Sequence, residues 1–133
     1  MMKDGLPPVP TSDEFTRTLG QVTWLMTLSV PHLERPVGLI RDMVLAPLML
    51  RQLRVYMKDK QPVAAISWAY ASPEVRDKIA SPPFVMQLSD WRSGAEPVIV
   101  ECISPLVDPQ MFINRFQDEI AQAQSRTKST NLA

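Results

Sequence analysis

Phe15, Leu19, Val22 and Met26 recur every three to four positions with polar residues between them, the spacing that lays one apolar stripe along an α-helix. Thr11 followed by Glu14 has the form of a capping box and marks the start of this helix. Proline cannot continue a helical ladder and biases the residue before it toward extended geometry. The helix is therefore predicted to stop near Ser29-Val30-Pro31-His32, leaving His32 in a loop just past its end. A second apolar stretch, Val37 to Leu53, carries Leu39, Ile40, Met43, Val44, Leu48 and Met49 and predicts a well-buried amphipathic helix interrupted or kinked around Pro47.

The period then changes. Arg54-Val55-Tyr56-Met57 and Val63-Ala64-Ala65-Ile66-Ser67-Trp68-Ala69 flank the polar segment Lys58-Asp59-Lys60-Gln61, which predicts a β-hairpin whose second strand is apolar enough to be central. Ser72-Pro73-Glu74 opens a short helix through about Ala80, with Ser72 as N-cap and Pro73 where its missing N–H costs nothing. Val98 to Ile103 reads as a third strand, preceded by a turn at Ser93-Gly94 and ended by Ser104-Pro105. Glu101 lies in its middle, an unexpected place for a carboxylate, and simple alternation puts it on the opposite sheet face from Val100 and Cys102. Asp108-Pro109 starts a final helix with Phe112, Phe116 and Ile120 four residues apart. The order ααββαβα predicts an α+β domain.

With 133 residues, the chain is expected to hold one domain over 11–124, between a flexible Pro-rich leader (1–10) and a disordered polar tail (125–133). Fourteen basic residues balance fourteen acidic ones, which argues against nucleic acid as a partner. A single cysteine, Cys102, and a single histidine leave no disulfide framework and too few ligands for an ordinary zinc site. The N-terminal segment has no apolar stretch like a signal peptide, and the run from Val44 to Leu50 is far below a membrane span, so a soluble, cytoplasmic protein is expected.

Four blocks of residues carry more than composition. Leu19-Gly20-Gln21-Val22-Thr23-Trp24-Leu25 leads to Ser29-Val30-Pro31-His32 and Pro36-Val37; Pro62-Val63-Ala64 leads to Ser67-Trp68-Ala69; then come Asp90-Trp91-Arg92-Ser93-Gly94 and Glu101-Cys102-Ile103-Ser104-Pro105. In order and spacing, over roughly residues 19–106, they resemble the RTX toxin-activating lysine acyltransferases, a bacterial family. The resemblance implies a fold similar to GNAT acetyltransferases, with a central, mostly antiparallel sheet flanked by helices. It also implies acyl–acyl carrier protein as donor substrate with no bound cofactor, and an acceptor protein lysine, in the family that of an RTX protoxin. Its catalytic histidine falls on His32, its catalytic carboxylate on Glu101 and a family serine on Ser29. This chain departs from the pattern with Glu101 for aspartate, Leu33 for arginine, Arg35 for tryptophan, Met43 for asparagine and Ala95 for an acid, and as a short member it is expected to lack most of the C-terminal extension.

Acylating a lysine requires its amine neutral, so a general base is needed near pH 7, and histidine suits that role. Glu101 would orient the imidazole and stabilise its protonated form; a one-sided sheet would equally turn it to solvent. Ser29 would bond the acyl carbonyl or simply finish a helix. Cys102 has nucleophile chemistry, but the resemblance puts a tryptophan there, which favours small apolar filler. Arg35, Arg41, Arg51 and Arg54, with Lys58 and Lys60, face only two acids between positions 35 and 60 and would form a docking patch for an acidic carrier, or else a solvated helix face. Trp24 and Trp68 are candidates for an acyl-chain pocket, with core packing as their default role. The lack of a glycine-rich pyrophosphate loop favours carrier protein over coenzyme A as donor. Two other readings stand beside transfer: a relative that binds an acyl carrier or protein without transferring, and a homodimeric scaffold.

Overall fold

The computed structural model describes residues 12–132, with side chains through Arg126, so the expected leader and the Thr11 cap lie outside the described residues. Helix α1 (Ser12–Thr27) buries Val22 and Met26 of the predicted stripe, with Leu25 beside them, while Phe15 and Leu19 nearer its start are only partly buried. Pro31 does not leave His32 in a loop. It occupies the first turn of a new four-residue helix, α2 (Val30–Leu33), where a missing N–H is harmless, and the Ser29 carbonyl accepts the His32 and Leu33 amides, both at 2.9 Å. The second apolar stretch is a helix in three pieces: α3 (Val37–Ile40), a π-turn (Arg41–Leu45) and α4 (Ala46–Met49). The irregularity precedes Pro47 because the proline ring would clash with the Met43 carbonyl in a regular turn. The wider turn, in which the Ala46 amide donates to the Arg41 carbonyl, relieves that crowding.

Leu53 belongs to the sheet rather than to the helix. Strands β1 (Leu53–Lys58), β2 (Gln61–Ala71) and β3 (Glu96–Ile103) form an antiparallel sheet in the order β1-β2-β3, so the hairpin is present and β2 is central. Its tip is a two-residue turn in which Asp59 and Lys60 both take positive φ, 51° and 67°, the backbone that matches the twist of paired strands. The α+β arrangement expected from the sequence is the observed one: α6 (Pro109–Leu132) lies on one face of the sheet and α1 with the α3–α4 segment on the other.

Phe112 and Phe116, each at most 3% exposed, join α6 to Tyr56, Ile66 and Trp68. Burying each is worth about 2–3 kcal/mol. A polar clamp adds direction: the Tyr56 hydroxyl donates to Glu119 Oε1 at 2.6 Å, and Arg54 Nη1 reaches Glu119 Oε2 at 2.9 Å. The helix continues through Leu132, past Ser125 where the sequence placed an unstructured tail; no glycine or further proline interrupts it.

At the other end of β2, α5 (Pro73–Ile79) starts as expected, with the Ser72 Oγ accepting from the Val75 amide at 3.2 Å. The turn at Ser93-Gly94 docks both of its amides on the Tyr70 carbonyl, at 2.8 and 2.9 Å. A Cβ at Gly94 would sit 2.6 Å from the Ser72 nitrogen and closer still to the Ala71 carbonyl, so only glycine fits. Gln52, 1% exposed, ties these parts together. Its Nε2 donates to the Trp68 and Trp91 carbonyls at 3.0 and 2.8 Å, and its Oε1 accepts from Arg92 Nε at 2.7 Å.

A bulge decides where Glu101 points. Ser67 pairs with Glu101, but the next residue, Trp68, pairs with Ile99, leaving Val100 as an extra residue on β3. Val100 packs with Met43 and Ala69 on the α3–α4 side, Glu101 faces Val22, Val44 and Ala65 on that same side, and Cys102 packs toward Phe112 and Phe116. Simple alternation therefore fails for Val100, which shares a sheet face with Glu101, and holds for Cys102.

Candidate active site

Two distant parts of the chain meet at this re-aimed carboxylate. The single turn of α2 delivers His32, its N-cap is Ser29, and β3 delivers Glu101, 69 residues beyond His32. Ser29 Oγ lies 2.6 Å from His32 Nδ1, and His32 Nε2 lies 3.2 Å from Glu101 Oε2. Ser29 is 8% exposed, and the His32 and Glu101 side chains are 10% and 12% exposed, so the row is sheltered without being sealed from solvent.

Arg35, between α2 and α3, completes the group. Its Nη1 donates to Glu101 Oε1 at 2.9 Å and its Nη2 to Glu101 Oε2 at 2.5 Å. Burial opposes ionisation of Glu101, but hydrogen bonds from His32 and Arg35 outweigh it and hold the carboxyl below its ordinary value. An ionised carboxylate only accepts, so His32 Nε2 carries the hydrogen of that contact. In the neutral ring, Nδ1 then has the free lone pair and accepts from the Ser29 hydroxyl. The resulting row, hydroxyl to imidazole to carboxylate, can move a proton inward from whatever group meets Ser29.

Below Glu101 is a cavity of about 10 Å³, the size of one water molecule, lined by Val22, Met43, Ala65 and Ser67 among others. The Ser67 hydroxyl is buried there without a hydrogen-bond partner among the described residues. Outside, Leu28, Val30, Leu33 and Val37 are 44–86% exposed, so apolar side chains flank Ser29 and His32 in sequence on both sides.

The other predicted site residues fall elsewhere. Arg41 pairs with Asp42 at 3.0 Å, Arg54 with Glu119 while lying 5.7 Å over the Trp68 ring, and Arg51 lines a groove with Glu14 and Thr18. With Arg35 turned onto Glu101, three of the four arginines are each spent on an acid of their own. Trp68 sits on the α6 face, its ring 4.9 Å from Phe116, across the sheet from His32. Trp24 is 41% exposed and lines an open groove of about 520 Å³ with Arg17, Gly20 and Gln61. Burial, assisted by the Glu101 charge, pushes the Cys102 thiol up to about 11, which leaves little thiolate at neutral pH. The direct contact of Arg35 with Glu101 was missed in the sequence, where the only hint was an arginine and a longer acid departing from one pattern at two places. Among the described residues no group of three or more His, Cys, Asp or Glu is placed to hold a metal ion, and no helix is long and apolar enough to cross a membrane.

Comparison with known proteins places this geometry in context. The RTX toxin acyltransferase family model matches residues 11–132. A protein-lysine myristoyltransferase of Kingella kingae is 30% identical over 100 residues, covering 75% of this chain and 59% of that protein. An RTX-III toxin-activating lysine-acyltransferase of Actinobacillus pleuropneumoniae is 31% identical over 116 residues, 84% of this chain and 66% of that protein. A protein-lysine myristoyltransferase of Escherichia coli is 31% identical over 109 residues, 79% of this chain and 64% of that protein. The chain thus spans roughly three fifths to two thirds of the length of these relatives.

Proposed function

The chain belongs to the RTX toxin acyltransferase family, and from that premise we propose that it moves a fatty acyl group from acyl carrier protein to a lysine side chain of an acceptor protein. The observation that carries this reading is the row Ser29–His32–Glu101, hydrogen-bonded in series at one edge of the sheet. In the reaction, the lysine nitrogen attacks the thioester carbonyl, a C–N bond forms, the C–S bond breaks and the carrier thiol leaves. The amine proton passes through the Ser29 hydroxyl to His32 Nδ1, and the imidazolium is stabilised by Glu101 across the ring. The same proton returns to the departing thiolate. General acid–base assistance of this kind is worth about 10²–10⁴-fold. The exposed apolar side chains beside Ser29 and His32 suit a hydrocarbon chain arriving at that edge. By analogy with the named activities of its relatives, the acceptor is a protoxin of the RTX class, and the reaction takes place in the cytoplasm where carrier and acceptor are made.

The test is incubation of the purified protein with acyl–acyl carrier protein of several chain lengths and an RTX-protoxin fragment that supplies acceptor lysines, with carrier deacylation and lysine acylation read by mass spectrometry for the wild type and His32→Ala. Loss of the acyl group that depends on His32 supports transfer. A carrier that stays acylated at every chain length, yet co-elutes with the protein, sinks it in favour of a relative that binds without transferring.

A further inference from the structure

We infer that Arg35 is the positioning residue of this site, holding the Glu101 carboxylate in register with His32 rather than docking a carrier. The inference rests on the proposed transfer reaction, since positioning matters only if His32 works as a base.

A glutamate carboxylate is separated from the backbone by three rotatable bonds, so alone it samples several positions relative to a ring fixed on another element. Arg35 removes that freedom. Its two terminal nitrogens take one carboxylate oxygen each, at 2.9 and 2.5 Å, and a planar fork on a planar carboxylate sets both distance and tilt. What remains is Oε2 facing His32 Nε2 at 3.2 Å. The anchor of the fork is also local to the histidine, because the Arg35 backbone amide donates to the His32 carbonyl at 3.1 Å. Imidazole and guanidinium thus grow from one short piece of backbone, and the carboxylate of β3 is measured against both.

The same geometry withdraws Arg35 from the surface. Its side chain is 15% exposed and two of its nitrogens are committed to Glu101, whereas Arg41 is 75% and Arg54 41% exposed. A docking cation for an acidic protein needs an accessible head, which Arg35 does not present.

The experiment compares steady-state kinetics of carrier deacylation, with a saturating RTX-protoxin fragment as lysine acceptor, for the wild type, Arg35→Ala and Arg35→Lys, each with and without millimolar guanidinium chloride against sodium chloride of equal ionic strength. Wild-type protein that leaves the carrier acylated would refute the proposed function itself. Given an active wild type, we expect kcat of Arg35→Ala to fall about 10²-fold with KM for the carrier unchanged. Added guanidinium should restore much of the lost kcat, and the lysine variant, charged but unable to fork, should fall between. An unchanged kcat, or a raised KM at full kcat, would overturn the inference, as would a loss in a folded Arg35→Ala that guanidinium does not relieve. If Arg35→Ala does not fold, Arg35→Lys decides alone: lowered kcat at constant KM supports positioning, and full kcat refutes it.

Discussion

Replacing Glu101 by glutamine keeps the shape of the side chain and removes its charge, so it isolates what the carboxylate contributes. Arg35 asks for two acceptors, at 2.9 and 2.5 Å, and an amide supplies only one. One hydrogen bond is lost and an N–H is set against another N–H. Removing one partner of a buried ion pair costs about 3–5 kcal/mol. Here the arginine side chain keeps 15% exposure and some access to water, which lowers the expected loss to about 2–3 kcal/mol. For a domain of this size that is a fall in Tm of roughly 8–12 °C at pH 7, read by calorimetry. The loss should also depend on pH in one direction. Glu101 titrates below its ordinary 4.5 in the folded protein, so its stabilisation is complete above about that pH and is lost as pH falls through the folded value. The Tm gap between wild type and Glu101→Gln should therefore close on acidification below pH 4.5. Activity should suffer more than stability. The amide N–H₂ favours the ring tautomer with hydrogen on Nδ1, which takes the free lone pair away from Ser29, and a tautomer reversal of this kind costs roughly 10⁴ in kcat elsewhere. An unchanged Tm at pH 7, or a kcat within tenfold of wild type, would refute the ionised, doubly held carboxylate.

Gln52→Leu deprives two buried carbonyls, those of Trp68 and Trp91, of their donor, for an expected loss of about 2–5 kcal/mol; denaturant unfolding that finds under 1 kcal/mol would contradict the accounting. Cys102→Ser should retain nearly all carrier deacylation, and because the thiol is held up at about 11, iodoacetamide should label Cys102 at pH 8 roughly 100-fold more slowly than free cysteine. Rapid labelling accompanied by inactivation would restore the cysteine as a nucleophile.

Much of the fold is written in local patterns. The stripe of α1, the cap at Ser72, the hairpin and the Asp108-Pro109 start of α6 depend on residues within one turn or one strand of each other, and each can be read before any contact is known. What escapes the sequence is set by partners far away or by irregular backbone. The bulge at Val100 breaks alternation through a register shift against β2, which no run of residues on β3 announces. The π-turn places the helix irregularity before Pro47 instead of at it. Pro31 stops one helix and starts the next, because the same missing N–H forbids a helix interior and suits a first turn. The site was legible in part. His32, Glu101 and Ser29 stand in recognisable blocks, and the structure brings all three into contact. Arg35 stood in the same region as a surface charge, and only the folding of β3 against α2, 66 residues apart, gives it a carboxylate. Gln52 was invisible, since an isolated amide in an apolar stretch carries no signal until its three partners surround it.

Helix α2 buries none of its own four residues, and what fastens this side of the site to the sheet is polar: the His32 contact and the Arg35 fork on Glu101. Glu101, by contrast, is anchored in a strand paired along its length with the most buried element of the molecule. The two halves of the site therefore differ in mechanical character, one a fixed wall and the other a latch. Opening the latch breaks a handful of hydrogen bonds and exposes little apolar surface, so it is a local event far below the energy of global unfolding. Amide exchange should be fast in α2 and slow in β2, and equal protection in the two would show that this side of the site is held as firmly as the sheet.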